Sequence, residues 1–223
     1  MFRTNGTKAG TVAFAICSLG AGATVGNRVA FSAVTDDYQS WKLMTTDGTA
    51  AGTSTLKTFK GFPTSKLGVG NGERLFFSAQ DESGLDLWVT DGTIAGTVPL
   101  KTGGGTVAFV GNSIYVFTPS SSSNQFDLST TDGTVGGARL VKAGVTLAPF
   151  TLASAGGFLY FCDSGLLYRT DGTSVTKIEH LTTGGAGLTS LIGPAGDSLL
   201  FFTLFNQENR QHIGANRHNP HRF

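Results

Sequence analysis

Residues 85–101 read LDLWVTDGTIAGTVPLK, and the TDGT inside that stretch recurs at 46–49, 131–134 and 170–173, with TNGT at 4–7 as an altered copy. The central glycines, Gly6, Gly48, Gly92, Gly133 and Gly172, fall 42, 44, 41 and 39 residues apart. The likeness extends outward from the tetrapeptide. Leu43, Leu87, Leu128 and Leu167 stand four residues before each Asp, followed by Met44, Trp88, Ser129 or Tyr168. Five places after the Asp a second glycine returns as Gly52, Gly96 and Gly137, and ten places after it a lysine, Lys57, Lys101 or Lys142. Between these marks lies a turn followed by apolar residues: GNRVAFSA, NGERLFFSA, GNSIYVFT, GGFLYFCD and GDSLLFFT.

Each period of about forty residues therefore holds four short segments of Phe, Val, Thr, Leu and Ile, punctuated by Gly, Asn, Asp and Ser. No helical periodicity of useful length appears. Four strands per forty residues predict an all-β, propeller-like array of four-stranded blades, about five units in all. The domain is expected over 1–205: a partial unit at 1–17, repeats at about 18–60, 61–103, 104–143 and 144–182, and a partial unit at 183–205. Either the strand TVAFAIC at 11–17 closes a five-bladed ring with the last unit, or the chain is a slice of a larger array.

Residues 206–223, NQENRQHIGANRHNPHRF, depart in composition where another TDGT is due, and carry His212, His218 and His221. They are expected to be a disordered tail or a stretch altered by a reading-frame shift. Histidine spacings of six and three give no defined metal site.

The Asp-Gly steps are hairpin signals, because glycine accepts positive φ and the Asp carboxylate takes nearby backbone N–H groups. Asp47–Gly48, Asp91–Gly92, Asp132–Gly133 and Asp171–Gly172 are accordingly read as structural turns, and the second glycine as a bulge or another left-handed position. One carboxylate per loop supplies too few oxygens for calcium.

At this point the residues resemble a bacterial repeat described by the consensus Glu-Leu-Trp-x-x-Asp-Gly-Thr. The stretch 85–101 carries the strongest likeness; 42–57, 126–142 and 166–173 are weaker copies. The resemblance implies a propeller-like fold in large exported or cell-surface bacterial proteins, with no catalytic motif to transfer. The consensus Glu is absent, its place held by Lys42, Asp86, Asp127 and Leu166, so an acid there is expected to be dispensable.

Composition narrows the function. With 14% charged residues and a net charge of +1, the 223-residue chain offers no electrostatic footprint for nucleic acid. No apolar run reaches the ~18–20 residues of a membrane helix, and MFRTNGTKAGT does not read as a secretory signal. Cys17 and Cys162 sit in separate apolar runs; two buried thiols are expected, with a bridge between them as the alternative. There is no GxSxG and no phosphate-loop setting, and His180 lacks a nucleophile partner. Asp36–Asp37 and Asp81–Glu82 are paired carboxylates in variable connections, where a solvated role is expected.

The expectation is a non-enzymatic binding or scaffold module without cofactor or metal. It would display variable loops to a protein or a glycan, with a glycan-binding or glycan-processing propeller as the alternative. SAVTDDYQSW, SAQDESGLD, TPSSSSNQFD and CDSG are the variable connections. In the first, Asp37, Tyr38 and Trp41 are candidate ligand contacts, with core packing the stronger reading for Trp41.

Overall fold

The computed structural model describes residues 2–4, 6–13, 18–63, 67–122, 124–147, 152–178, 187–195, 199–205 and 212–217. Among them every regular element is a β-strand. The chain forms two compact parts, residues 1–105 with 133–136, and residues 106–132 with 137–223.

The first part opens with a ribbon of β1 (Phe2–Arg3) and β2 (Val12–Ala13). An antiparallel meander follows: β3 (Ser18–Val25), β4 (Arg28–Val34), β5 (Ser40–Thr46) and β6 (Ser54–Lys60). The next repeat supplies β7 (Val69–Gly70), β8 (Leu75–Asp81), β9 (Gly84–Thr90) and β10 (Val98–Pro99). Its outer strand is short because Pro99 has no N–H to continue the ladder. One backbone pairing, Lys60 with Gln80, joins the two repeats into an eight-stranded sheet.

The second part holds two four-stranded meanders and a three-stranded one. They are β11 (Thr106–Val110) to β14 (Arg139–Val145) through β12 (Ser113–Pro119) and β13 (Phe126–Thr131), then β15 (Leu152–Ala155), β16 (Phe158–Asp163), β17 (Leu166–Thr170) and β18 (Val175–Lys177). The last contains β19 (Gly187–Ala195), β20 (Leu199–Phe205) and β21 (His212–Arg217). Strand β21 comes from the compositionally distinct tail and pairs in register from Leu199↔Arg217 to Leu204↔His212. Cys17, His180, His218 and His221 lie outside the described residues, as do 14–17 of the proposed closing strand.

The second strand of each full repeat is buried on both faces: Leu75, Phe76 and Phe77 in β8, Ile114–Phe117 in β12, and Leu159–Cys162 in β16. That is why these segments read as unbroken apolar runs rather than alternating ones. In the first part, Phe59 of β6 stacks on Trp41 at 4.8 Å and meets the edge of Trp88 at 4.9 Å, so one aromatic from the first repeat bridges to the second. In the second part Phe117 packs edge-on to Phe161 at 5.9 Å, and Phe161 stacks on Tyr168 at 5.7 Å. Each fully buried ring among these contributes about 2–3 kcal/mol.

Candidate functional site

The two ends of the strands carry different chemistry. At one end sit the Thr-Asp-Gly-Thr turns. In the first full repeat, Gly48 N–H donates to Thr46 Oγ1 at 2.9 Å, and the Thr49 N–H and hydroxyl donate to Asp47 Oδ1 at 2.9 and 2.8 Å. Thr49 Oγ1 then accepts from Gly52 N–H at 2.9 Å, and the Thr53 hydroxyl donates to the Thr49 carbonyl at 2.6 Å. Thr53 has only one proton to give, so in the 2.7 Å contact between Thr46 and Thr53 it is Thr46 that donates. The same net recurs at Thr90, Asp91, Gly92, Thr93, Gly96 and Thr97, at 2.6–3.0 Å. The altered first copy keeps its threonine bonds through Thr4, Thr7, Gly10 and Thr11. The cap is thus an eight-residue unit, Thr-Asp-Gly-Thr-x-x-Gly-Thr.

The second glycine has a different reason from the one expected. Gly52 and Gly96 are not left-handed. A Cβ on either would fall inside the carboxylate of Asp47 or Asp91, which packs against the bare glycine. The irregularity between third and fourth strands lies instead at the motif leucine, between Leu43 and Met44 and between Leu128 and Ser129.

The shortened fourth copy concentrates more donors. Asp171 Oδ1 accepts from Thr173 N–H, the Thr173 hydroxyl and Ser174 N–H at 2.8–2.9 Å. Those bonds, the backbone ones foremost, lower its pKa to about 2. The hydroxyl and N–H of Thr49 likewise lower Asp47, with a smaller contribution from Arg28. These carboxylates are occupied in holding their own turns.

Where an acid stands at the position of the consensus Glu it ties the backbone, while Lys42 and Leu166 hold the same place in their repeats without one. Asp86 Oδ1 accepts from Leu87 and Thr102 N–H at 2.7 and 3.0 Å, and Oδ2 from Lys101 N–H at 3.1 Å. Lys101 is left-handed at φ 58°, and the carboxylate fixes that kink. Asp127 does the same for Gly144 N–H at 3.0 Å.

The other strand end carries the variable loops. In the first part the segments 35–40, 60–62 and 80–85 meet there. The hairpin closes through Thr35 N–H to the Ser40 carbonyl and Tyr38 N–H to the Thr35 carbonyl, both 3.0 Å. Asp37 Oδ1 accepts from the Thr35 hydroxyl and from Gln39 N–H, and these bonds lower its pKa. Gly61 N–H donates to the Gln39 carbonyl at 2.9 Å, tying the next connection to this hairpin. Lys60 bridges to Glu82 at 2.7 Å.

The candidate contacts therefore separate. Asp37 and Tyr38 are on this rim, with Tyr38 62% exposed. Trp41 is 2% exposed and belongs to the core. Two exposed apolar residues of the rim escaped the sequence reading, Phe62 at 65% and Leu85 at 58%. An aromatic just before Pro63, in an otherwise polar connection, was the available signal for Phe62.

A separate cleft of about 290 Å³ in the first part lies at the turn end, lined by Arg74, Val89, Asp91, Val98 and Val135 among others. Among the described residues no three His, Cys, Asp or Glu side chains gather as metal ligands.

No protein-family model matches the chain, and neither does any curated protein. Its fold resembles solved β-propellers. One match comes from a structural study of two prolyl endopeptidases, with a TM-score of 0.58 and 16% identity over 90% of this chain and 32% of that one. Another is the β-propeller domain of the trilobed protease from Pyrococcus furiosus, with a TM-score of 0.54 and 13% identity over 97% of this chain and 79% of that one. This chain spans about a third of the first protein's length. At these identities the likeness speaks for the fold: the chain is an all-β array of β-propeller type.

Proposed function

We propose that the chain is a run of repeats of the Glu-Leu-Trp-x-x-Asp-Gly-Thr type, serving as a non-catalytic binding or scaffold module of an exported or cell-surface protein. The observation that carries this reading is the contrast between the two strand ends. The turn end repeats one hydrogen-bond net, bond for bond, between Thr46–Thr53 and Thr90–Thr97. The loop end differs in side chains in every repeat, and its connections range from two residues, 82–83 and 164–165, to six, 120–125. A constant scaffold that holds variable loops is the arrangement of a recognition surface.

Hydrolysis by a carboxyl pair needs one member kept protonated by a raised pKa. Asp37 and Asp81, on the loop rim, are both shifted downward by hydroxyl and backbone donors, so neither of these two is suited to be that acid.

The test is loop exchange. Residues 35–40 are replaced by the shorter hairpin sequence of 81–84, and the labelled protein is titrated onto bacterial cell-envelope preparations and protein arrays. Saturable binding that the exchange abolishes and Asp91→Asn leaves intact is the expected result. Binding that is absent, or that depends on the turn and not the loop, overturns the proposal.

A further inference from the structure

Tyr38 sits at φ 56°, in the left-handed region, with its side chain largely exposed. The sister hairpins fill their left-handed positions with small residues: Gly84 in the second repeat, Asn124 in the third, and Ser164 with Gly165 in the fourth. A bulky residue at such a position is strained, and an exposed ring regains little of that through packing. The repeat has thus placed an aromatic where its own pattern uses glycine, asparagine or serine.

The hairpin beneath the ring is closely held. Besides its two closing backbone bonds, Thr35 Oγ1 contacts Asp37 Oδ1, the Ser40 carbonyl at 2.6 Å and Ser40 Oγ at 3.0 Å. A ring on a preordered backbone loses little entropy when a ligand covers it. Phe62, also exposed, follows Gly61, whose N–H is bonded to the residue after Tyr38. Two exposed aromatics therefore flank one inter-loop hydrogen bond.

The charges of the rim select the ligand class. In segments 35–40, 60–62 and 80–85 the acids are Asp36, Asp37, Asp81 and Glu82, and the one cation is Lys60, already paired with Glu82. These segments carry four acids against one cation of their own, with Lys57 reaching Asp81 from the neighbouring strand at 3.6 Å, a balance that disfavours anionic polymers. It does offer carboxylate oxygens and main-chain carbonyls to hydroxyl donors, beside ring faces that carry negative quadrupole potential toward polarised C–H groups.

We infer that Tyr38, with Phe62 beside it, is a stacking platform for a neutral saccharide, whose C–H face covers the ring while its hydroxyls reach Asp37 and Glu82. This inference rests on the binding reading above and names its ligand class.

The experiment uses the full chain, with cellohexaose, maltohexaose and chitohexaose as probes in calorimetric titrations, and Tyr38→Gly and Phe62→Ala as variants. Tyr38→Gly is expected to raise Tm, by removing the left-handed strain, and to weaken saccharide binding about tenfold or more. Phe62→Ala is expected to weaken it by a smaller factor at unchanged Tm. A fall in Tm for Tyr38→Gly makes the ring a packing element and overturns the inference. Saccharide affinity unmoved by either variant overturns it too. If wild type binds none of the probes but the loop exchange abolishes capture of a protein, the saccharide inference fails while the binding reading stands. If neither saccharide nor any loop-dependent partner binds, both fail.

Discussion

The ammonium of Lys57 lies 4.6 Å from the centre of the Trp88 ring, and 3.6 Å from the Asp81 carboxylate. Lys142 repeats this with Tyr168 at 5.7 Å and Asp163 at 3.2 Å. A lysine on the last strand of one repeat is thus seated on the aromatic of the next repeat's third strand, beside an acid ending its second strand. Two recurrent marks in the sequence, the lysine ten residues after one Asp and the aromatic three before the next, belong to one joint between successive repeats. Replacing Lys57 by Met keeps the stem and removes the charge. A double-mutant cycle with Trp88→Leu is expected to give a coupling of about 0.5–1 kcal/mol in urea unfolding. A coupling near zero makes the contact incidental.

Gly96→Ala is expected to destabilise the chain by about 1–3 kcal/mol, since the new methyl group displaces the Asp91 carboxylate from its place in the turn. Gly61→Ala is the control. Gly61 is left-handed at φ 70° with open space around its missing Cβ, so alanine there meets backbone strain alone, about 1 kcal/mol. Urea midpoints of the two variants compare the effects. Equal midpoints argue against close approach as the reason for the second glycine.

Asp171 predicts an acid limb of stability. Its folded pKa of about 2 lies below the ordinary 3.8, so the unfolded chain takes up the proton first as pH falls. The stabilisation is whole above about pH 4 and is lost progressively as pH drops through about 2. The cause is hydrogen bonding to neighbouring N–H and hydroxyl groups, so added salt should change it little. Asp171→Asn should lower Tm at neutral pH and converge on wild type near the acid end. A Tm difference independent of pH contradicts the assignment.

The period and the strand order were legible because glycine and aspartate mark every turn and the segments between are short and apolar. The rim was half legible. TDDYQS advertises a polar loop, so Asp37 and Tyr38 could be proposed, but no composition reveals that Tyr38 is left-handed. Phe62 was missed because it lies in the connection between repeats, brought to the hairpin only by the bond from Gly61 to Gln39. The second glycine was misread for a related cause: what forbids a side chain at Gly52 is an Asp five residues earlier folding back on it, a contact that local conformational preference does not encode. The hydrogen bonds of Asp86 could not be read from sequence because its partners Lys101 and Thr102 are fifteen and sixteen residues away.

The threonine before each Asp-Gly step has a chemical consequence that can be measured. An Asp-Gly bond ages when the glycine nitrogen attacks the aspartyl carboxyl carbon, water leaves, and the resulting succinimide reopens to isoaspartate. In the second repeat the Gly92 N–H is donated to Thr90 Oγ1 at 3.0 Å, while Asp91 Oδ1 is held by the N–H and hydroxyl of Thr93 at 2.9 and 2.7 Å. Nucleophile and electrophile are therefore each engaged elsewhere. Thr90→Val keeps the volume, removes the acceptor, and leaves the Gly92 N–H without it at a buried position, costing about 1–3 kcal/mol. The variant is expected to accumulate isoaspartate at Asp91 several-fold faster than wild type on prolonged incubation at neutral pH, read by peptide mapping with mass spectrometry. Asp47, whose threonine is untouched, serves as the internal reference. Equal rates at Asp91 in the two proteins show that the threonine bond does not restrain the glycine nitrogen.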